Sequence, residues 1–232
     1  VETDQPMLRT FNQHDVRAVE SLDGWWDFVI ENERSDRAKL PRRYNRRVQT
    51  PRAWETLPGL EAYRGRAWLR RTIRTSGGAV RLVFGGVSHT ADVFLDGRHV
   101  AHHYDAFTPF AVTVSDVKPG EHELVVEVDN SFGDHSALHI ENDYYTYGGI
   151  TRPAELQAVP DAFIERVDLA PRRTGRTWAL DADVTIRNVG RDSARRAIAV
   201  EVAGWQADFG ALTVPAGATR TVRRAIDGLD VE

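Results

Sequence analysis

Apolar and polar residues alternate along most of this chain, and this period of two limits the possible folds more than any other feature. Clear examples are residues 80–84, 90–95 and 123–128, where alternate side chains would lie on one side of an extended backbone. Asp96-Gly97 follows the second run and suits a two-residue hairpin turn, because both residue types tolerate positive φ. Helical periodicity is nearly absent. Short strands separated by turns predict a β-sandwich or jelly roll.

A second alternating series begins beyond residue 161. The run Trp178–Arg187 would place Leu180, Ala182, Val184 and Ile186 on one face of a strand and charged residues on the other. Further runs at residues 163–169, 197–202 and 219–226 are typical of an immunoglobulin-like sandwich. About 70 residues would hold five strands, whereas the usual domain has seven in about 100 residues, so we expect it to be truncated.

These patterns predict an all-β protein with two domains. The first would be a jelly-roll β-sandwich over residues 1–157, and the second an immunoglobulin-like β-sandwich over residues 158–232. Residues 32–47 carry many arginines and glutamates without a clear period. We expect that stretch to be a solvated loop.

Composition argues against several classes of function. The 232 residues have a formal net charge of −4 and include no cysteine, so we expect no nucleic-acid partner and no disulfide or thiolate chemistry. No apolar run approaches the roughly 18 residues needed to cross a bilayer, so no membrane partner is predicted. No glycine-rich loop precedes a helix, and no cofactor is expected.

Only Lys39 and Lys118 are lysines, which indicates a GC-rich bacterial genome, and a bacterial cytoplasmic location is our expectation.

Eight histidines raise the question of a metal site. His102 and His103 are adjacent and would point to opposite faces of a strand, a poor geometry for one ion. His135 and His139 could cluster with Asp134 and Glu141, but they form no tight ligand motif. We therefore predict no metal site.

The segment from Asn142 to Pro153 combines a carboxylate, three tyrosines, a Gly-Gly turn and an arginine. Rings with hydroxyl tips beside an acceptor suit a polyhydroxylated ligand, which needs apolar faces and orienting polar groups. A loop packed by its own aromatic residues is the alternative. Glu141 and Asp143 lie two apart in one extended segment and cannot readily bracket a sugar as a catalytic pair must. A binding role is the better prediction.

Several short motifs follow one another in a fixed order over about 130 residues. They are Leu22–Phe28, Pro51–Trp54, Tyr63–Arg71, Phe84–Val87, Ala91–Gly97, Tyr104–Phe110, Val126–Asn130 and Gly148–Pro153. Together they resemble the non-catalytic half of family 2 glycoside hydrolases, the β-galactosidase and β-glucuronidase family. Asn188-Val189-Gly190 is similar to a turn in the immunoglobulin-like second domain of that family.

The resemblance implies a galactose-binding-like jelly roll, an immunoglobulin-like domain and then a (β/α)₈ barrel that holds both catalytic glutamates. No barrel is present in these residues, so the resemblance implies no catalytic residue here and an inactive fragment of a retaining exo-β-glycosidase. In the family, an aspartate shortly before Gly-Ile-x-Arg hydrogen-bonds the bound sugar, and Asp143 occupies that position. Asn142 is a second substrate-binding candidate. Tyr145, Tyr147 and Arg152 would support the loop.

The partners implied by the resemblance are a carbohydrate, either a β-galactoside or a β-glucuronide, and the barrel of the same protein. A homo-oligomer is a further expectation. The alternative is a free-standing carbohydrate-binding or structural β-sandwich module without enzymatic activity. These residues do not indicate which sugar is cleaved, because that choice should depend on the barrel.

Overall fold

The computed structural model describes residues 17–34, 40–134, 136, 140, 146–202 and 204–229. Strands make up most of the regular structure in these ranges, with two single 3-10 turns at Glu31–Glu33 and Trp54–Thr56 and no α-helix. Accordingly, no helix among the described residues is long and apolar enough to span a membrane. The all-β prediction is confirmed.

The first sandwich is built from antiparallel strands before residue 160. A six-stranded sheet has the order β3-β2-β4-β10-β7-β8, a four-stranded sheet has the order β1-β12-β5-β9, and β11 pairs with β6. The strands are β1 (Val19–Ser21), β2 (Gly24–Ile30), β3 (Arg46–Thr50), β4 (Arg66–Thr75), β5 (Gly78–Phe84), β6 (Val87–Ser88), β7 (Thr90–Leu95), β8 (Arg98–His103), β9 (Phe110–Val117), β10 (Gly120–Asp129), β11 (Gly149–Ile150) and β12 (Ala154–Val159).

Strand register explains the main core. Phe28, Leu69, Val126 and Val93 lie side by side across four strands of the six-stranded sheet, and all are buried. Directly opposed residues of antiparallel strands share a face, so one alternating pattern builds a continuous apolar surface. The four-stranded sheet covers this surface with Leu82, Phe84, Leu156 and their neighbours.

The other face of the six-stranded sheet carries a second, smaller cluster. Its buried members are Val29, Trp68, Phe94 and Val125, with Leu40 and Tyr44 packed against them. The guanidinium of Arg70 lies 4.3 Å from the centre of the Tyr44 ring, and that of Arg34 lies 4.3 Å from the centre of the Trp68 ring. Part of the stretch expected to be a solvated loop therefore packs on the sheet.

The second sandwich follows after residue 161. Leu180, Ala182, Val184 and Ile186 are buried on one face, as the alternation predicts, and they pack in one cluster with Phe209 and Val214 of the facing sheet. Its strands are β13 (Ala162–Thr174), β14 (Thr177–Asn188) and β17 (Thr219–Leu229) in one sheet, and β15 (Ala194–Val202) and β16 (Trp205–Val214) in the other. The alternating runs did not predict β16.

One apolar row of the second sandwich is uncovered. Val167 and Leu169 of β13 lie opposite the buried Val184 and Ala182, so they face the sandwich interior, yet they are 46% and 47% exposed. Among the described residues the facing sheet has two strands, whereas an immunoglobulin-like domain has at least three there.

The two sandwiches meet at a small apolar contact. Phe163 and Val159 pack with Ala79, and Val189 lies against them. Gly190 allows its turn to approach Asp161, because an added Cβ would lie 2.8 Å from the Asp161 Cβ. The division between residues 157 and 158 stays a prediction.

The β7–β8 hairpin offers a direct test of turn chemistry. Asp96 and Gly97 both have positive φ, at 50° and 75°, and nothing lies within 4 Å of a Cβ added at Gly97. Gly97→Ala should therefore lower the free energy of unfolding by about 1–2 kcal/mol through backbone strain alone. Gly97→Asn should recover part of that loss, because asparagine tolerates this conformation. Equal urea midpoints for the alanine variant and the wild type would contradict this account.

Candidate functional site at the base of the 131–147 segment

The segment that connects β10 to β11 contains most of the predicted site. Asn142, Asp143 and Tyr145 lie outside the described residues, so their sugar-binding and supporting roles stay predictions. The structure does describe both ends of the connection, at Asn130 and Gly148. These ends form the base of the segment.

The Gly148–Pro153 motif is hydrogen-bonded along both of its edges. On one side, Arg52 N donates to Ile150 O at 2.8 Å, and Trp54 N donates to Gly148 O at 3.0 Å. On the other side, β11 pairs with β6, and Thr151 N donates to Gly86 O at 3.1 Å. Three of the family-like motifs, far apart in sequence, thus meet in space.

Glycine is required at Gly148 because the neighbouring side chain leaves no room. A Cβ at this position would lie 2.1 Å from Cζ2 of Trp54. Gly149 has a φ of +122°, and its added Cβ would lie 2.7 Å from Arg52 O. The Gly-Gly pair therefore lets the chain approach the Trp54 indole and the backbone beside it closely.

Arg152 reaches across the same base. Its Nη1 donates to Phe107 O at 2.8 Å, and its side chain passes over Gly85 and Gly86, where added Cβ atoms would be 3.1 Å from it. Tyr147 is 46% exposed. The predicted loop-supporting roles of Arg152 and Tyr147 stay predictions.

Glu55 joins the two ends of the segment. Its Oε1 accepts hydrogen bonds from Arg64 Nη1 at 2.8 Å, from Asn130 Nδ2 at 2.9 Å and from Gly148 N at 3.0 Å. Gly148 N also lies 3.0 Å from Oε2. Asn130 is fully buried, and its Oδ1 accepts from Gly65 N at 3.0 Å. Sequence reasoning missed Glu55, although it directly follows the Pro51–Trp54 motif.

Electrostatics at Glu55 reflect two opposing effects. Burial of the carboxyl group, whose side chain is 7% exposed, raises its pKa above the usual value. The hydrogen bonds from Gly148 and Arg64 and the charge of Arg64 act in the lowering direction. The neighbouring groups that contact this carboxylate are all donors, so they favour its ionised form.

A second contact holds the segment at Ser136. His89 is fully buried, and its Nδ1 lies 3.0 Å from Ser136 Oγ. The Tyr104 hydroxyl donates to Ser136 O at 2.6 Å. Burial lowers the pKa of His89, the nearby charge of Arg64 lowers it further, and Asp129 acts in the opposite direction. The imidazole is therefore neutral at pH 7.

Metal ligation has no candidate cluster in the part of the chain that the structure describes. No group of three or more His, Asp or Glu side chains there could hold an ion. His99 and His102 both approach Asp92 Oδ1, at 2.6 and 3.2 Å, as an exposed hydrogen-bonded group. His135, His139 and Glu141 lie outside the described residues.

Comparison with known proteins identifies the class. A family model described as "Glycosyl hydrolase 2 galactose-binding domain-like" matches residues 62–190, more than half of the chain. The chain therefore belongs to glycoside hydrolase family 2. The matched range includes Arg64, Asn130 and Gly148.

Individual relatives carry related names. A family 2 β-galacturonidase structure from Eisenbergiella tayi is 33% identical with a TM-score of 0.79, and the match covers 97% of this chain and 39% of that one. A β-galactosidase of Thermoanaerobacter pseudethanolicus is 30% identical over 132 residues, covering 52% of this chain and 18% of that protein. A β-glucuronidase of Bacteroides fragilis is 25% identical over 168 residues, covering 71% of this chain and 24% of that protein. The chain thus spans about a quarter or less of these two curated relatives.

The buried histidine predicts a pH dependence of stability. Because the folded-state pKa of His89 is lowered, the unfolded state takes up the proton first as the pH falls below about 6.5. Stability should then decrease by up to about 1.4 kcal/mol per pH unit from this one group. His89→Asn should reduce the loss of stability between pH 7.5 and 5.5, measured by urea unfolding. Parallel stability curves for variant and wild type would show that His89 does not titrate this way.

Proposed function

We propose that this chain is the non-catalytic N-terminal part of a retaining exo-β-glycosidase that acts on a β-galactoside or a β-hexuronide. The observation that carries the proposal is family 2 membership, together with 33% identity to the E. tayi β-galacturonidase over 97% of the chain. A second E. tayi structure has galacturonate bound. Between the two candidate β-hexuronides, the similarity to the E. tayi enzyme favours a β-galacturonide over a β-glucuronide.

In this proposal the chemistry belongs to a barrel in the same protein. Two barrel carboxylates would cleave the glycoside by double displacement through a glycosyl-enzyme intermediate. The present residues would contribute Asp143 and Asn142 to the sugar pocket, on a segment whose ends meet at Glu55. An aspartate that accepts hydrogen bonds from sugar hydroxyls supplies orientation, and its contribution grows where water is excluded. Homo-oligomer assembly and a bacterial cytoplasmic location remain part of the proposal.

Asp143→Ala in the full-length enzyme tests the proposed contact. We expect kcat/KM on a matched 4-nitrophenyl glycoside to fall about 10- to 100-fold, because a charged hydrogen bond to substrate is lost. Asp134→Ala is the matched control, since Asp134 is an exposed aspartate of the same segment, and its kcat/KM should be unchanged. Equal kcat/KM for Asp143→Ala and wild type would remove Asp143 from the pocket.

Saccharide binding by the 232-residue chain alone, measured by calorimetry, would favour the free-standing binding module.

A further inference from the structure

We propose that Glu55 is a positioning residue for the sugar-contacting segment, through one buried carboxylate that joins both ends of residues 131–147. The inference rests on the proposed function in one respect, namely that Asp143 on this segment contacts the sugar. Glu55 itself need not touch the substrate. It would act by fixing where the segment leaves and rejoins the scaffold.

Both ends of the segment converge on one oxygen atom of Glu55. Asn130 Nδ2 and Gly148 N lie 2.9 and 3.0 Å from Glu55 Oε1. Asn130 is further fixed to the β4 side, since its N donates to Gly65 O at 3.2 Å and its Oδ1 accepts from Gly65 N. Bringing both ends to one point restricts the conformations open to the residues between them.

The groups around Glu55 specifically require a carboxylate. The three groups that converge on Oε1 are an amide NH₂, a backbone N–H and a guanidinium, and each of them donates. A glutamine has the same shape, but one of its two terminal atoms is a donor. Gly148 N also lies within hydrogen-bond distance of Oε2. In a glutamine, an NH₂ group at the Oε2 position would face the Gly148 N–H, and an NH₂ group at the Oε1 position would face all three donors.

Water cannot easily replace the hydrogen bonds of Glu55. The Glu55 side chain is 7% exposed, Asn130 is fully buried, and Trp54 packs directly on Gly148. Loss of an acceptor at such a site leaves buried donors unsatisfied, which is costly. The neighbouring structure should then shift, and the shift would be felt at the ends of the segment.

Glu55→Gln in the full-length enzyme tests the proposal by kinetics. We expect kcat/KM to fall roughly 10- to 100-fold, because a small displacement of a substrate-contacting group has effects of this size. In the Asp143→Ala background the same change should cause little further loss, since the two residues act through one contact. Glu61→Gln is the matched control. Glu61 is exposed and, like Glu55, lies in the connection between β3 and β4, so the kcat/KM of this variant should match that of the wild type. Fully additive losses from Glu55→Gln and Asp143→Ala would overturn the proposal.

Amide hydrogen exchange of the same full-length variants provides an independent measurement. Glu55→Gln should speed exchange in peptides covering residues 131–147 by about tenfold, with the β10 and β4 strands unchanged. Unchanged exchange there would overturn the role of Glu55. If Asp143→Ala has no kinetic effect, the proposed sugar contact fails, and the exchange result alone decides the role of Glu55. If the glutamine variant does not fold, Glu55→Asp, which keeps the charge on a shorter side chain, replaces it in both measurements.

Discussion

A single buried carboxylate links three stretches of this chain, namely the connection between β3 and β4, Asn130 after β10, and Gly148 before β11. Glu55 contacts Arg64, Asn130 and Gly148, and these residues belong to motifs that the sheets bring together. Burying a carboxylate is unfavourable unless it is paired and hydrogen-bonded, and this one is both. The balance is visible in its pKa, which burial raises while its donors act in the opposite direction. The predicted sugar-binding residues Asn142 and Asp143 lie between Asn130 and Gly148, the two positions that this interaction joins.

The sandwich forms the scaffold, and most of the predicted site residues lie on the connection between β10 and β11. Phe28, Leu69 and Val126 lie in register across the six-stranded sheet, and this fixes the strand ends from which the site segment departs. Connections on such a scaffold are free to carry polar chemistry because they do not build the core. The Gly148–Pro153 motif is the transition between the two. It is paired with backbone on both edges and directly precedes β12, an inner strand of the four-stranded sheet.

Much of the fold could be predicted from local patterns, and the site base could not. The alternation around Val184 and the Asp96-Gly97 turn depend on neighbouring residues, so the sequence shows them directly. No alternating run was assigned to β16 because its inward-facing residues change phase after Phe209, from Ala207 and Phe209 to Leu212 and Val214, where the β15–β16 register shifts. The role of Glu55 depends on contacts with residues 75 and 93 positions away, which no local pattern reports. A glutamate beside a buried tryptophan, and an asparagine at a strand end, were the available signals.

Hydrogen exchange at the Gly148 amide, followed residue by residue by NMR, tests the central claim most directly. That amide nitrogen lies 3.0 Å from both oxygens of a buried carboxylate, and Gly148 itself lies against the Trp54 indole. We expect its protection from exchange to be comparable to that of Val126 in the central strand β10. Exchange as fast as that of Gly217, in an exposed turn, would contradict it, because the two ends of the segment would then not be joined through Glu55 in solution.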